Sequence, residues 1–505
     1  MRRTILPRYT PFGRRRVAAA TACGLALVAC LLVSACASPS EEADRAAAAR
    51  VPAAWRNAAP QDVDAGARTE ARAAAAASAP VDGFAERWWQ VYGAPGLDRA
   101  VDLALRHGSD TATAAARLDE AAAVARLAGA QRLPHASATL GVEREGRLAG
   151  TREASGNAAF ATLEITHTLD LWGERRALQA AALARQRASV HDLATVRLTV
   201  AAATASAWLE TVALGERLTI ARANADLARR VLDLVAVRQQ AGVVTSLDLA
   251  TQRALLAERE RDAAAMHGAA RQAEARLAIL LGGNAAEVPP LLANARLDAL
   301  ACPRIDVGLP ATLLLRRPDL ARAEAALAAA DADLRAARAA LLPSIDLAAS
   351  VGGGGNRLRQ ILSNPLYGLA AALTAPIFDA DQRQAERDIA AARRQALLSD
   401  YHGAIVNAFG ETEGALALRQ SLGAQALAQQ RVLDEAQRAY KLAEARYRAG
   451  SDTLLTLLDA QRTLYEARDR AVLLRLQTLQ ATVALQAALG GGWQRGAAGA
   501  AVAGG

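Results

Sequence analysis

The placement of proline constrains this chain more than any other feature. None occurs between Pro134 and Pro289, and none follows Pro376, which leaves proline-free windows of 154 and 129 residues. Proline removes a backbone donor and clashes with the preceding turn, so such windows are where uninterrupted helices can form. Both are rich in Ala, Leu, Arg, Glu and Gln, all good helix formers. From Glu174 to Gln240 the 67 residues contain one glycine, Gly215. A continuous helix there would be about 100 Å long, which implies a rod-like or coiled-coil assembly. Only 4% of the chain is aromatic, which also disfavours an ordinary globular core.

Strand-like sequence precedes each long helical stretch. Ser344 to Val351 and Thr162 to Leu169 alternate apolar and polar residues with a period of two, so each predicts a strand with one apolar and one polar face. Ala136 to Arg144 and Leu366 to Ala375 are their partners, and loops at Gly146 to Gly156 and Gly352 to Pro365 would join them. The reading is two hairpins and four strands. A helix is expected from about 96 to 131.

The two halves match at a nearly constant offset. Leu133-Pro134 and Leu342-Pro343 are 209 residues apart; Ala241-Gly242 and Ala449-Gly450, and Leu281-Gly282-Gly283 and Leu489-Gly490-Gly491, are 208 apart. Leu247 and Leu249 fall on Leu455 and Leu457 at that second offset. A duplicated unit of hairpin, long helix, tight turn and returning helix accounts for all of them. Gly242 and Gly450 would each end a long helix in the left-handed conformation, and such a turn alone reads as a plain cap.

The N-terminus reads as an address. Residues 1–16 are basic, Val17 to Val33 are apolar, and Val33-Ser34-Ala35-Cys36 supplies small residues before a cysteine: a secretory signal. Six of the positive charges lie in this segment, and its removal leaves 53 basic against 51 acidic residues. A nearly neutral mature chain lacks the footprint of a nucleic-acid binder. Cys36 would be the lipidation site, covalent lipid being the one attached group expected, with no cofactor and no metal. Cys302 would then stand alone, without a disulfide partner.

The six histidines are scattered without metal-ligand spacing, and Gly352 to Gly355 lacks the lysine of a nucleotide loop. No enzyme is indicated. Val33 to Cys36 resembles the lipobox of bacterial lipoproteins, and Ala37 after it, in place of the aspartate that marks inner-membrane retention, implies an outer-membrane destination. A chain sent there without a spanning helix must use a closed β-barrel, and four strands are too few to close one. The barrel must be shared between copies, with lipid against the apolar face and water against the polar one.

At this point the chain resembles the TolC superfamily of outer-membrane efflux ducts. Leu315-Arg316-Arg317-Pro318-Asp319-Leu320, followed by Ala323-Glu324, is similar to the OprM and NodT-like lipoprotein branch that serves RND pumps. So are the lipobox-like Cys36 and Arg446-Tyr447-Arg448-Ala449-Gly450 with Leu454 to Gln461. The likeness implies an α+β, mostly α fold: a homotrimer sharing a twelve-stranded barrel in the outer membrane and a twelve-helix periplasmic α-barrel. It also implies passive conduction, with a periplasmic membrane-fusion adaptor and an inner-membrane RND transporter as partners. The expected division is 1–35 signal, 36–80 lipidated, loosely ordered linker, 81–284 first repeat, 285–315 equatorial connection, 316–493 second repeat and 494–505 tail.

By the same resemblance, Ala241, Gly242, Val243, Thr245 and Leu247 at one tip, and Ala449, Gly450, Ser451 and Thr453 at the other, would contact the adaptor. Leu455, Asp459 and Asp248 would form the gate. Spacing alone makes Asp459 an exposed helical carboxylate; three-fold symmetry would turn it into an acidic ring that attracts cations. The place six residues after Gly450, where some relatives carry a second aspartate, holds Thr456. A duct for type I secretion, a metal-efflux duct and a lipid-anchored periplasmic coiled-coil scaffold are the alternatives.

Overall fold

The computed structural model describes residues 51–57, 87–145, 156–303, 305, 307–356, 361, 363 and 365–494. The signal segment, Cys36, most of the expected linker and nearly all of the expected tail lie outside them. From Pro52 onward the chain forms one contact unit.

The first repeat contains α1 (Pro95–His107), α2 (Ser109–Ala130), β1 (His135–Glu145), β2 (Gly156–Leu169), α3 (Glu174–Gln240) and α4 (Ser246–Leu281). A connection with the short helix α5 (Pro289–Leu292) leads to the second repeat. That repeat comprises α6 (Pro310–Arg316), α7 (Pro318–Ala339), β3 (Ser344–Gly355), β4 (Leu366–Thr374), α8 (Gln382–Arg448) and α9 (Leu454–Ala488). Helices α3 and α8 each run 67 residues and begin 208 residues apart. The expected helix at 96–131 is interrupted at Gly108, which is extended; a Cβ there would lie 2.4 Å from the Ala104 carbonyl oxygen.

The duplication reaches into packing. Gly282 (φ +69°) ends α4 against the carbonyl of His107, and Gly490 (φ +92°) follows α9 against that of Arg316. A Cβ would lie 2.4 Å and 1.9 Å from those oxygens, so both conformation and space require glycine. The equatorial core gathers Trp88, Trp89, Tyr92, Leu97, Trp208, Leu209, Leu277, Leu291, Leu297 and Leu479. The buried Trp208 indole donates to the Leu291 carbonyl at 3.1 Å, as buried polar atoms require. One stretch of α3 is long and apolar enough to cross a membrane, but more than half of it is buried inside the fold, so it reads as core.

Arg317 explains the Arg-Arg-Pro-Asp segment. Its buried guanidinium makes paired bonds to Asp319 at 3.0 and 2.7 Å, reaches Glu411 of α8 at 2.7 Å, and donates to the Ala488 carbonyl of α9 at 3.2 Å. The motif joins three helices. Within the span expected to be loosely ordered, residues 52–57 are docked: Trp55 is buried against Phe409 and donates to Gly308, while Arg56 and Asn57 donate to Glu413. A single tryptophan in a run of Ala and Pro carries no periodicity, so this contact was invisible in the pattern.

The sheet is an antiparallel meander in the order β1-β2-β3-β4. Its central pairing, β2 with β3, joins the two repeats. Gly352 to Gly355 is strand rather than loop, because β2 extends back to Gly156 and supplies partners for it from Ala159 to Thr162.

Candidate functional site: the open sheet and the helical tips

The register sorts the sheet into two faces. Leu140, Val142, Leu163, Ile165, Leu347, Val351, Leu369 and Leu373 lie on one; Ser137, Thr139, Thr162, Glu164, Thr166, Thr168, Asp346 and Ser350 lie on the other. Most of the large apolar side chains on the first face are exposed, β4 over its full length. Among the described residues, nothing pairs with the outer edges of β1 and β4. An apolar face that size with two free edges is unsuited to water.

At the other end of the long helices are two tight turns. In the first, α3 ends at Ala241, Gly242 takes φ +74°, and Val243 and Gly242 donate to the carbonyls of Arg238 and Gln239 at 2.9 and 3.0 Å. Helix α4 then opens with a capping box. Thr245 accepts from the Asp248 N–H at 3.2 Å, and Asp248 accepts from both the N–H and the hydroxyl of Thr245 at 2.8 Å. These bonds hold the Asp248 carboxyl below the usual carboxylate range.

The second tip repeats the backbone. Gly450 has φ +75°, and Gly450 and Ser451 donate to Tyr447 and Arg446, each at 3.0 Å. Its polar chemistry differs. Thr453 caps α9 by accepting from the Thr456 N–H at 3.4 Å, and the carboxylate sits before the cap, where Asp452 accepts from the Thr453 N–H at 2.8 Å. That bond, helped by Thr456 and Arg446, also holds the Asp452 carboxyl low. Below the turns lies a core of Val231, Val235, Tyr440, Ala443, Tyr447, Leu454, Leu457 and Leu464.

The structure thus places the expected gate residues unequally. Leu455 is 77% exposed, and its counterpart Leu247 is 74% exposed. Asp459, one turn beyond Leu455, is exposed and paired with Arg462 at 2.9 Å. Asp248 is occupied in its own helix cap. Ala241, Gly242, Val243, Thr245, Ala449, Gly450, Ser451 and Thr453 form the two turns side by side. The spacing gave no sign of Arg238, whose guanidinium lies 4.4 Å from the Tyr447 ring centroid and donates to the Arg448 carbonyl at 3.1 Å, tying the tips together. The only signal was Tyr447 itself, an aromatic residue in an aromatic-poor chain.

The comparisons agree with this geometry. A family model described as outer membrane efflux protein matches residues 100–283 and 309–491. The pyoverdine export outer membrane protein OpmQ of Pseudomonas aeruginosa is 42% identical over 475 residues, covering 92% of this chain and 96% of that protein. The cation efflux system protein CusC of Escherichia coli is 31% identical over 398 residues, 78% of this chain and 86% of that one. Among solved structures, the outer-membrane channel OprN matches with a TM-score of 0.75 at 27% identity, covering 81% and 93% of the two chains. The open-state MtrE channel of Neisseria gonorrhoeae matches with 0.73 at 29%, covering 79% and 90%. The fold is the TolC-like duct, the molecule resides in the outer membrane, and its work is transport rather than catalysis. An amphipathic sheet with free edges, carried on two duplicated pairs of long helices, places this chain in the outer membrane efflux protein family.

Proposed function

We propose that three copies close one barrel and one helical tunnel, forming the outer-membrane duct of an RND-type tripartite pump. The observation that carries this is the sheet. Edges and an apolar face incompatible with water are both satisfied when β1 of one copy pairs with β4 of the next and lipid covers the outside. Energy comes from the inner-membrane transporter, through an adaptor seated on the two turns. Leu455 and Asp459, displayed three times around the axis, form the closed end, and Asp248 steadies the turn beside them.

Cys36 carries the lipid. Trp55 lies nineteen positions beyond it, a reach of roughly 65 Å when extended. The rise of α8 from Gln382 to Glu413 is about 47 Å. The docked strap therefore leaves enough chain for the anchor to reach the bilayer. The cargo is of the pyoverdine class, supported by the 42% identity to OpmQ along almost the whole length.

Planar-bilayer recording tests the duct and its gate together. The parent gives small, cation-preferring currents, and Asp459→Ala enlarges them or removes the preference. An unchanged variant sinks the gate assignment, and a parent that forms no channel sinks the duct. Export of pyoverdine by a strain lacking its own duct tests the cargo; failure to restore export while other efflux is restored removes that assignment alone.

A further inference from the structure

Among the described residues, the polar face of the sheet carries two large apolar side chains, two register steps apart near the end far from the helices. Phe160 shares a face with Thr162, Glu164, Thr166 and Thr168, and it sits opposite Gly141 on β1 and Gly354 on β3. Leu366 on β4 sits opposite Gly352, which itself pairs with Thr162, two residues from Phe160. Over this stretch that face presents phenylalanine on β2, bare glycine backbone on β3 and, two register steps nearer the helices, leucine on β4. A Cβ on Gly141 would lie 2.3 Å from the Phe160 ring, so the ring reaches over β1 at the glycine and lines the wall. Both side chains remain exposed.

The level is fixed by the strands. Helices enter and leave at His135, Leu169, Ser344 and Thr374. Phe160 is nine residues from Leu169, and Leu366 eight from Thr374. At the rise of a strand, both lie about 27–30 Å from the helical end, near the far rim of a membrane-spanning barrel.

We propose that Phe160 and Leu366 form an apolar collar inside the lumen near its outer mouth, where the aromatic or aliphatic part of an organic solute makes contact as it leaves. The proposal rests on the duct reading, which makes the polar face lumenal. Below the collar the wall offers hydroxyls and the carboxylates of Glu164 and Asp346, which suit water and polar groups. At the collar, the glycines on β3 keep the passage wide, and the flat ring offers a shallow surface. Weak contact of that kind lets a solute both bind and depart.

The test is block of single-channel current by two monovalent cations added from the barrel side, tetraphenylphosphonium and tetramethylammonium. They share a charge and differ in aromatic surface. In the parent, tetraphenylphosphonium blocks at the lower concentration, and Phe160→Ser reduces that preference about two- to tenfold, the worth of one aromatic contact. If the Phe160→Ser chain does not assemble, Leu366→Ser carries the same expectation, since Leu366 is 65% exposed. A preference that survives in the assembled variants overturns the collar and leaves the duct standing. A parent without channels overturns both.

Discussion

The two tips have the same backbone and different chemistry. Each closes a 67-residue helix through a left-handed glycine and opens the return helix with a threonine cap. The first places its carboxylate inside the cap, at Asp248, with Val244 packed on the core below. The second places it before the cap, at Asp452, where it also lies 3.5 Å from Arg446. Arg238, the counterpart of Arg446, instead reaches across to Tyr447. The turn is therefore set by backbone conformation, and either of two carboxylate positions satisfies its donors. Asp459 has no such duty: Thr251 holds the equivalent place in the first repeat, and the Asp459 side chain serves neither cap. A carboxylate without a role in its own turn is free to act in the assembly.

The largest test of this asymmetry is at the position before each helix end. Tyr447 is 2% exposed in the tip core, whereas its counterpart Gln239 is half-buried beside it. Tyr447→Ala is expected to cost about 3 kcal/mol, and Gln239→Ala less than about 0.5 kcal/mol, measured by unfolding of the purified protein in detergent. Equal losses would show that the two tips share their load and would break the comparison. The caps come next. Thr245→Ala removes a reciprocal box and should cost about 1–2 kcal/mol. Thr453→Ala removes one longer bond and should cost about half as much. A reversed order would place the tighter cap on the second tip.

How much of this could be read beforehand depends on the scale of the signal. Proline placement and the 208-residue offset are long patterns, and they located α3, α8 and both turns. Period-two alternation found β2 and β3, and the segments assigned as their hairpin partners are β1 and β4. The alternation failed at Gly352 to Gly355, where glycine has no side chain to alternate and pairing is decided by the length of β2, a distant partner. Arg317 was visible as part of a motif, but its role as a three-helix joint depends on Glu411 and the Ala488 carbonyl, far along the chain. The role of Asp248 was legible in principle, since Thr245 followed three residues later by an acid is the pattern of a capping box. The resemblance drew attention to a gate instead.

A smaller effect follows from pH. Bonds from Thr245 hold the Asp248 carboxyl below the usual carboxylate range. A group depressed in the folded state contributes stability above its unfolded value and loses it as pH falls through the folded one. Asp248→Asn should therefore melt below the parent at neutral pH, and the gap should close as the pH falls below the usual carboxylate range. Asp452→Asn should behave alike, because its carboxyl is lowered too. A gap that persists in acid would mean that the carboxylates act through shape alone.

The smallest expected effect is the most exacting test. If the two carboxylate positions are interchangeable, Asp452→Val combined with Thr456→Asp should convert the second tip to the arrangement of the first and melt within about 2 °C of the parent. Asp452→Val alone should melt lower, because the Thr453 N–H loses its acceptor at 2.8 Å and Arg446 its partner. Rescue by the second substitution separates turn chemistry from the contact with Arg446, which neither variant retains. If the double variant is as unstable as the single one, the Asp452–Arg446 pair matters more than the cap. The double variant also places a carboxylate six residues after Gly450 while leaving Asp459 untouched. A stable fold whose bilayer current becomes more cation-preferring would then show that a carboxylate held in the same cap acts on the passage from the second tip, so that position and not the cap decides which tip is electrically active. A stable fold with unchanged current would make the two tips electrically equivalent and leave Asp459 as the acid that distinguishes them.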